Sequence, residues 1–259
     1  MGEFVRLEVD DGVGTIRLDR PKLNAISGQV AEELTDVARE AGGRDDIGAV
    51  VIWGGPRIFA AGADVAEMVD RTPDDVWPHI VKLQTALDVV EDLPKVTIAA
   101  INGYALGGGY ELALAADLRY AADNAKIGLP EILLGIIPGA GGTQRLPLLI
   151  GVSRAKDIIF SGRQVKADEA LQLGMVDRVV PVKEVYEKAV EDARRFAKGP
   201  TVALAAAKRS IGEGLHTTRR EGQEVERQNF VQLFGTEDQK TGMRSLLKDG
   251  PGKAVFEGR

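Results

Sequence analysis

The sequence predicts an α/β fold that ends in an all-helical region, and three observations support this prediction. Short apolar runs typical of buried strands alternate with helical segments as far as about residue 195. After Gly199 and Pro200 only helical periodicity remains, over residues 201–247. The length of 259 residues suits one large domain, or a main domain with a smaller appendage.

Strands are predicted where apolar residues alternate with polar ones or follow each other without interruption. The first two segments alternate and enclose the turn DDG, which indicates a β-hairpin. The next two are continuous apolar runs, as in strands that are buried on both faces. In chain order the predicted strands are FVRLEV (4–9), VGTIRL (13–18), AVVIW (49–53), VTIAAI (96–101), the short extended piece KIGLP (126–130) and VDRVVP (176–181).

Helices are predicted from capping residues at their starts and from glycines or prolines at their ends. Ser27 is a suitable N-cap, and two glycines end the helix that it begins. Thr72 precedes a proline and two aspartates, which is typical of a capped helix start. The predicted helices run from Ser27 to about Arg39, from Thr72 to about Asp92, from about Gly108 to Ala121 and from Lys183 to Lys198, with a further helix at ADVAEMV (63–69) and tail turns at Gly212, Gly214, Gly235 and Gly242.

Composition excludes several classes of protein. The 33 basic and 39 acidic residues give a net charge of −6, which argues against a protein that coats nucleic acid. The chain has no cysteine and only two histidines, so no metal site is expected. Neither a membrane span nor a signal peptide is expected from the sequence, and a cytoplasmic location is predicted.

The glycine-rich stretch YALGGGYELALAAD (104–117) allows three interpretations. A dinucleotide-binding turn is disfavoured, because Leu112 occupies the position of the third glycine. A plain strand-to-helix connection would place Glu111 in the first helical turn, where the helix dipole favours an anion. Alternatively, the free N–H of Gly108 could stabilise a carbonyl oxygen that becomes negative during a reaction.

A second, similar element favours the oxyanion interpretation. The stretch IFAAGAD (58–64) also follows a strand, and Ala63 could supply a second N–H to the same oxygen. Glu111 and Glu131 both lie in apolar surroundings, which indicates paired acid/base chemistry on a substrate between them. The sequence therefore predicts an enzyme that acts on an acyl group.

Nearly the whole chain resembles the enoyl-CoA hydratase/isomerase, or crotonase, family. The segments that carry the resemblance are FAAGAD, IAAINGYALGGGYELALAAD, KIGLPEILLGIIPGAGGTQRL and ADEALQLGMVDRVV. The resemblance implies a spiral of ββα units over residues 1–198 that holds the acyl-CoA site. It also implies a helical region over residues 199–259 that builds homotrimers, often paired into hexamers. No cofactor is expected, because the CoA thioester is the substrate.

Site residues follow from the family's motifs. The two backbone donors fall on Ala63 and Gly108, and the two carboxylates fall on Glu111 and Glu131. In hydratases of the family the first carboxylate activates the water that adds to C3, and the second delivers a proton to C2. The predicted substrate and CoA contacts are Arg20, Lys22 and Arg57 for the phosphates, Ala61, Asp64 and Val65 for the adenine and pantetheine, and Tyr104, Leu106, Pro130, Leu134 and Pro138 along the acyl channel, with Gly107 as a further contact.

Three departures from the family pattern affect these expectations. RPKLNA (20–25) is one residue shorter than the usual motif, which leaves the register of Lys22 open. Tyr110 is larger than the residue of many relatives, so it either trims the pocket or packs in the core. The tail offers only Lys248 and Lys253 in place of a basic run, which weakens any contact with a neighbour's CoA.

The leading functional hypothesis is hydration of a trans-2-enoyl-CoA to the 3-hydroxyacyl-CoA. An isomerase that converts a 3-enoyl to a 2-enoyl thioester is an alternative, although such relatives usually need only one acid/base carboxylate. Other acyl-CoA enzymes of the family share the scaffold, and the fold alone does not separate them. A non-catalytic binder of acyl-CoA or RNA is a minor alternative, which the acidic balance disfavours.

Overall fold

The computed structural model describes residues 2–259, and its strands form two sheets. The larger sheet has the order β1-β2-β3-β5-β7-β10, and the smaller has the order β4-β6-β8-β9. β1 pairs antiparallel with β2, and the other neighbours in the larger sheet are parallel. The strands are β1 (Val5–Asp10), β2 (Val13–Leu18), β3 (Ala49–Trp53), β4 (Ala60–Ala61), β5 (Val96–Ile101), β6 (Tyr104–Leu106), β7 (Leu118–Ala122), β8 (Lys126–Gly128), β9 (Val165–Lys166) and β10 (Arg178–Val180).

Helices separate successive pairs of strands. Two 3-10 helices, Val65–Glu67 and Glu131–Leu134, add to the α-helices. The α-helices are α1 (Gly28–Gly43), α2 (Pro73–Glu91), α3 (Gly108–Ala115), α4 (Gly142–Ile150), α5 (Val152–Ser161), α6 (Ala167–Leu173), α7 (Val185–Ala197), α8 (Thr201–Leu215), α9 (Arg219–Leu233) and α10 (Glu237–Asp249). No helix in the described part of the chain combines the length and apolarity needed to traverse a bilayer.

The chain repeats a ββα unit as it moves along the two sheets. β3, β5 and β7 are consecutive neighbours in the larger sheet. Along the chain, each of them is followed by a short strand of the smaller sheet. A helix follows each pair, as α2 follows β3 and β4, and α3 follows β5 and β6. This arrangement is the spiral of ββα units that the resemblance implies.

The central strands of the larger sheet are buried on both faces, which explains the uninterrupted apolar runs of β3 and β5. Val50 and Ile52 of β3 join the main core with helices α1 and α2. Val51, on the opposite face of the same strand, joins a second cluster that α7 covers with residues such as Val185 and Ala189. Successive strand residues point to opposite faces, so one strand serves both clusters.

The predicted helix starts are confirmed at the level of hydrogen bonds. The Ser27 hydroxyl accepts from the Val30 N–H at 3.2 Å, and α1 extends to Gly43. Thr72 and Asp75 form a capping box at the start of α2. The hairpin, the strands AVVIW and VTIAAI, and the helix after residue 183 are also confirmed.

The helix predicted over residues 108–121 is wrong in its second half. α3 ends at Ala115, and residues 118–122 form β7 between β5 and β10. Asp117 breaks the helix because its carboxylate accepts hydrogen bonds from the Thr97 N–H at 2.7 Å and the Thr97 hydroxyl at 3.0 Å. Pairing on both sides then overrides the helical preference of the alanines that follow.

Three tail glycines predicted as turns lie inside helices instead. Gly212 and Gly214 belong to α8 and Gly242 belongs to α10, whereas Gly235 lies in the predicted turn. A Cβ at Gly222 of α9 would lie 3.2 Å from the Gly214 Cα, so these two helices cross at their glycines. Gly214 therefore allows two helices to pack closely and does not form a turn.

Other elements were missed or shortened. ADVAEMV forms only the 3-10 helix Val65–Glu67, and α4, α5 and α6 had no predicted counterpart. The helical tail contacts the sheet region through Lys208, whose ammonium donates to Asp117 at 3.0 Å and to the Lys95 carbonyl at 3.2 Å. The division into residues 1–198 and 199–259 stays a prediction.

Candidate active site

The smaller sheet brings three distant segments to one edge. Its parallel strands β4, β6 and β8 end side by side, with Ala61 opposite Leu106 and Leu106 opposite Gly128. The residues that follow these strand ends are therefore neighbours in space. They include Ala63 after β4, Gly108 after β6 and Glu131 after β8.

The glycine run makes a tight turn into α3. Gly107 has φ +51° and ψ −130°, a backbone conformation that a side chain would strain, and it is the N-cap of α3. The Gly107 carbonyl accepts from the N–H groups of Tyr110 and Glu111, whereas the Gly108 N–H donates to no group in residues 2–259. A Cβ at Gly109 would lie 2.1 Å from the Ala60 carbonyl oxygen, so the third glycine lets α3 pack against β4.

Ala63 presents a second N–H that has no acceptor among the residues that the structure describes. A single parallel bridge joins Ala63 to Ile26, through the bonds Ile26 N–H to Gly62 O (2.9 Å) and Asp64 N–H to Ile26 O (3.1 Å). Because backbone N–H groups alternate in direction along an extended segment, the Ala63 N–H points away from Ile26. A Cβ at Gly108 would lie 3.5 Å from the Ala63 nitrogen, so the two free donors flank one small space.

Glu111 borders this space and is firmly oriented. Its side chain is buried, and Oε1 accepts from the Ala140 N–H and the Gly142 N–H, both at 2.8 Å. Burial raises the pKa of Glu111, while the two backbone donors favour its charged form. Oε2 is free of these bonds and would lie 3.9 Å from a Cβ at Gly108.

Glu131 also lies close to the glycine turn that borders this space. It begins the 3-10 helix that follows Pro130, and a Cβ at Gly107 would lie 2.8 Å from its Oε1. Its Oε2 is buried and has no hydrogen-bond partner in the described chain. Burial, and then the charge of Glu111, raise the pKa of Glu131 to about 7.

Two residues that sequence reasoning missed hold the loop behind Glu111. Arg145 donates to the Ala140 carbonyl at 2.9 Å and pairs with Asp88 and Glu91 of α2. Gln84 donates to the Gly139 carbonyl at 2.7 Å. Arg145 lies in the family segment PGAGGTQRL, which is the signal that could have drawn attention to it.

The predicted phosphate contacts gather at one corner but differ in their bonding. Lys22 and Arg57 are exposed, on turns that pack together through Asn24, whose amide donates to the Gly54 carbonyl at 2.7 Å. The short motif forms a tight turn, with φ +72° at Lys22 and +50° at Asn24. Arg20 is different, because its guanidinium is bonded to Asp64 at 2.6 Å.

The remaining predicted contacts differ in their exposure. Ala61, Leu106 and Pro130 are half-buried, Gly107 and Pro138 are buried, and Val65, Tyr104 and Leu134 are exposed. Tyr110 lies away from the site. Its fully buried hydroxyl donates to the Met175 carbonyl at 3.0 Å, so Tyr110 packs in the core rather than trimming the pocket. Among residues 2–259 no group of three or more His, Asp or Glu side chains is arranged to hold a metal ion.

Comparison with known proteins agrees with the motifs. The family model described as Enoyl-CoA hydratase/isomerase matches residues 8–258. A Mycobacterium tuberculosis protein named probable enoyl-CoA hydratase EchA17 is 44% identical over 237 residues, which cover 90% of this chain and 91% of the relative. A Mycobacterium bovis protein named probable enoyl-CoA hydratase echA8 is 40% identical over 255 residues, or 95% of each chain.

Solved structures agree in the same way. The crystal structure of enoyl-CoA hydratase from Bacillus anthracis superposes with a TM-score of 0.93 at 37% identity, covering 99% of this chain and 100% of the other. That of enoyl-CoA hydratase from Thermoplasma volcanium gives a TM-score of 0.86 at 33% identity, covering 95% and 97%. The predicted crotonase-like fold, with its C-terminal helices, is confirmed. The chain belongs to the enoyl-CoA hydratase/isomerase family.

Proposed function

We propose that the protein is an enoyl-CoA hydratase that adds water to a trans-2-enoyl-CoA. The observation that carries this proposal is the arrangement of two glutamates around one pair of free backbone donors. The N–H groups of Ala63 and Gly108 flank a small space, and Glu111 and Glu131 border it. The names of relatives at 40–44% identity support the same activity.

In the proposed reaction the thioester oxygen lies between the two N–H groups. Water bonds to C3 as the Glu111 carboxylate takes its proton, and the electrons of the double bond move onto the thioester oxygen. The enolate carbon C2 then takes a proton from Glu131, so the product carries hydroxyl at C3 and hydrogen at C2. A proton passes from Glu111 to Glu131 before the next turnover, and no redox or metal cofactor is required.

The two carboxyl environments support this division of roles. Two backbone donors stabilise the charged form of Glu111, which suits a base. Glu131 has a buried oxygen without a partner and a pKa of about 7, which suits a proton donor at neutral pH. Environments that give two carboxyl groups different pKa values in this way are typical of acid/base pairs.

Isomerisation of a 3-enoyl-CoA is the second candidate. It moves a proton from C2 to C4 and needs one carboxylate, so the second glutamate would be idle. A non-catalytic binder would need neither. We propose a CoA thioester as the ligand in each case, with Lys22 and Arg57 at the phosphate end because both are exposed cations at the same corner. A cytoplasmic location stays a prediction.

Assembly into a homotrimer or homohexamer is proposed on the tail's apolar surface. Helices α9 and α10 expose large apolar side chains that the rest of this chain leaves uncovered. Such patches are typical of surfaces that another subunit covers. They include Phe230, Val231, Phe234, Met243, Leu246 and Leu247.

The decisive experiment follows the absorbance of the conjugated enoyl thioester on mixing with crotonyl-CoA. Wild-type protein should remove the absorbance rapidly, while Glu111→Gln and Glu131→Gln should be nearly inactive yet still bind acyl-CoA. Appearance of absorbance from a 3-enoyl-CoA, with no loss from crotonyl-CoA, would instead assign the isomerase. If the protein bound acyl-CoA but catalysed neither reaction, the hypothesis of a non-catalytic binder would remain.

A further inference from the structure

An ion pair joins the turn after β2 to the segment that carries Ala63. The Arg20 guanidinium donates through Nη2 to Asp64 Oδ2 at 2.6 Å, and both side chains are largely buried, with 23% and 20% of their surface exposed. We infer that Arg20 and Asp64 are positioning residues that fix the Ala63 N–H, and that Arg20 is not a contact of the CoA phosphates. This inference rests on the proposed function of the Ala63 N–H.

The bonds of Arg20 are directed inward. Nη1 donates to the Ala25 carbonyl at 3.0 Å, Nη2 donates to Asp64, and the guanidinium lies over the Phe4 ring at 5.6 Å. A residue that binds a phosphate at an entrance needs donors that face the solvent. Lys22 and Arg57 meet that requirement, since both are exposed.

Asp64 is bonded at both carboxylate oxygens. Oδ2 accepts from Arg20, and Oδ1 accepts from the Ala66 N–H at 3.1 Å, which caps the 3-10 helix. The Asp64 N–H donates to the Ile26 carbonyl at 3.1 Å. The hydrogen bond from Arg20 also lowers the pKa of Asp64, so the carboxylate stays charged at neutral pH.

The Ala63 peptide has one anchor before it, since the Gly62 carbonyl accepts from the Ile26 N–H at 2.9 Å. Gly62 has φ +88°, and a Cβ built there would have only the Leu106 carbonyl oxygen nearby, at 3.9 Å. Gly62 therefore brings no side chain that would limit rotation of the Gly62–Ala63 peptide about the bond to Ile26. Its direction is therefore set by Ile26 on one side and by the Arg20–Asp64 pair immediately after Ala63.

A substrate without phosphates separates the two roles of Arg20. Rates are measured with crotonyl-CoA and with S-crotonyl-pantetheine, which has the same thioester and no phosphate. Arg20→Gln should lower kcat about ten- to a hundredfold with both substrates and by the same factor, because the oxyanion donor is misplaced. A loss confined to the KM for crotonyl-CoA would overturn the inference and make Arg20 a phosphate contact.

Coupling between the two residues gives a second test. If they act as a pair, Arg20→Gln/Asp64→Asn should be about as active as the weaker single variant, whereas independent roles would multiply the losses. Arg20→Lys keeps the charge and should recover part of kcat. Arg44→Gln is the matched control, because it breaks a surface ion pair with Asp46, and its activity should equal that of wild type.

A binding measurement keeps this inference separate from the proposed function. Two N–H donors polarise the carbonyl of a bound enoyl thioester and shift its absorbance to longer wavelength. Wild-type protein should show this shift even if it fails to hydrate, and Arg20→Gln should bind the thioester with most of the shift lost. An undiminished shift in Arg20→Gln would contradict the inference. If the wild type bound the thioester without any shift, the proposed oxyanion site itself would be wrong.

Discussion

At the scale of single residues, the two glutamates show how one fold gives two chemically identical carboxyl groups different protonation behaviour. Both are drawn out of water, which alone would raise the pKa of each. Glu111 receives two backbone N–H donors, whereas the buried Oε2 of Glu131 receives none. The pair is therefore expected to share one proton at neutral pH, held mainly by Glu131.

This shared proton predicts the pH dependence of the reaction. Since Glu131 has a pKa of about 7 in the free enzyme, kcat/KM for hydration should fall as pH rises beyond that value, because the proton donor is lost. Dehydration of the 3-hydroxyacyl-CoA should fall over the same range, since the overall reaction neither releases nor consumes a proton. Rates measured in both directions from pH 5 to 9.5 check this, and a flat profile to pH 9 would contradict it.

The sequence was sufficient to nominate the residues of the candidate site but not the side-chain pairing around them. Ala63, Gly108, Glu111 and Glu131 each lie in long family segments, so their positions follow from motif order. The bond between Arg20 and Asp64 joins residues 44 positions apart, and no local pattern encodes it. A side chain's partner depends on how strands and turns pack, which composition and spacing do not determine.

At the scale of elements, the start of α3 leaves room for Glu131 and, in the proposed reaction, for a carbonyl oxygen. Gly107→Ala should lower kcat about a hundredfold, because its Cβ would lie 2.8 Å from Glu131 Oε1 and push the carboxyl group away. Gly151→Ala is the matched control. Like Gly107, Gly151 combines a positive φ with a ψ outside the left-handed helical region (φ +84°, ψ 152°), but a Cβ there would meet nothing within 4 Å, so its kcat should stay near that of wild type.

Comparing these two alanine variants distinguishes the effect of the contact with Glu131 from the effect of backbone strain. Both substitutions place a side chain at positive φ, so both should lower the melting temperature. Only Gly107→Ala should lower kcat strongly. Equal kcat losses in the two variants would show that strain, rather than contact with Glu131, limits residue 107.

The loop between β8 and α4 orients Glu111 and is itself held by Arg145. Arg145→Gln removes the bond to the Ala140 carbonyl and the pairs with Asp88 and Glu91, so the loop should lose its fixed direction. Weaker donation to Glu111 should lower kcat about tenfold. It should also raise the pKa of Glu111 further, which moves the acidic limb of the pH–rate profile upward.

Arg163→Gln is the control for Arg145. Arg163 also pairs with two carboxylates, Asp157 at 3.1 Å and Glu169 at 2.8 Å, but it makes no bond to the loop that orients Glu111. Its pH–rate profile should match that of wild type. An unchanged acidic limb in Arg145→Gln would show that the loop keeps its direction without the arginine.

Elements were predictable where local signals were strong and unpredictable where pairing decided the outcome. Capping residues gave the starts of α1 and α2, and continuous apolar runs gave β3 and β5. The two-residue strand β4 and the three-residue strand β6 were not predicted and depend on pairing with their neighbours, whereas β8 confirms the predicted extended piece KIGLP. Segments so short carry no periodicity, although their adjacent ends bring the site together.

At the scale of the whole molecule, the helical tail contributes a salt bridge inward and an apolar surface outward. Lys208 anchors α8 to Asp117 beside the larger sheet. On the outer side, Phe230 and Phe234 of the α9 region pack edge to face at 5.3 Å while staying about half exposed or more. This uncovered aromatic pair supports the proposed contact with a second chain.

Subunit association should therefore depend on the apolar face of α9. Val231 is 62% exposed next to this aromatic pair, so Val231→Glu would place a charge where a second chain should bury apolar surface. Light scattering coupled to size-exclusion chromatography should give three or six chains for wild type and one for the variant. Val9→Glu, a valine 37% exposed on β1, should leave the mass unchanged. A monomeric wild type, or a Val231→Glu variant that still assembles, would mean that this face is not the interface.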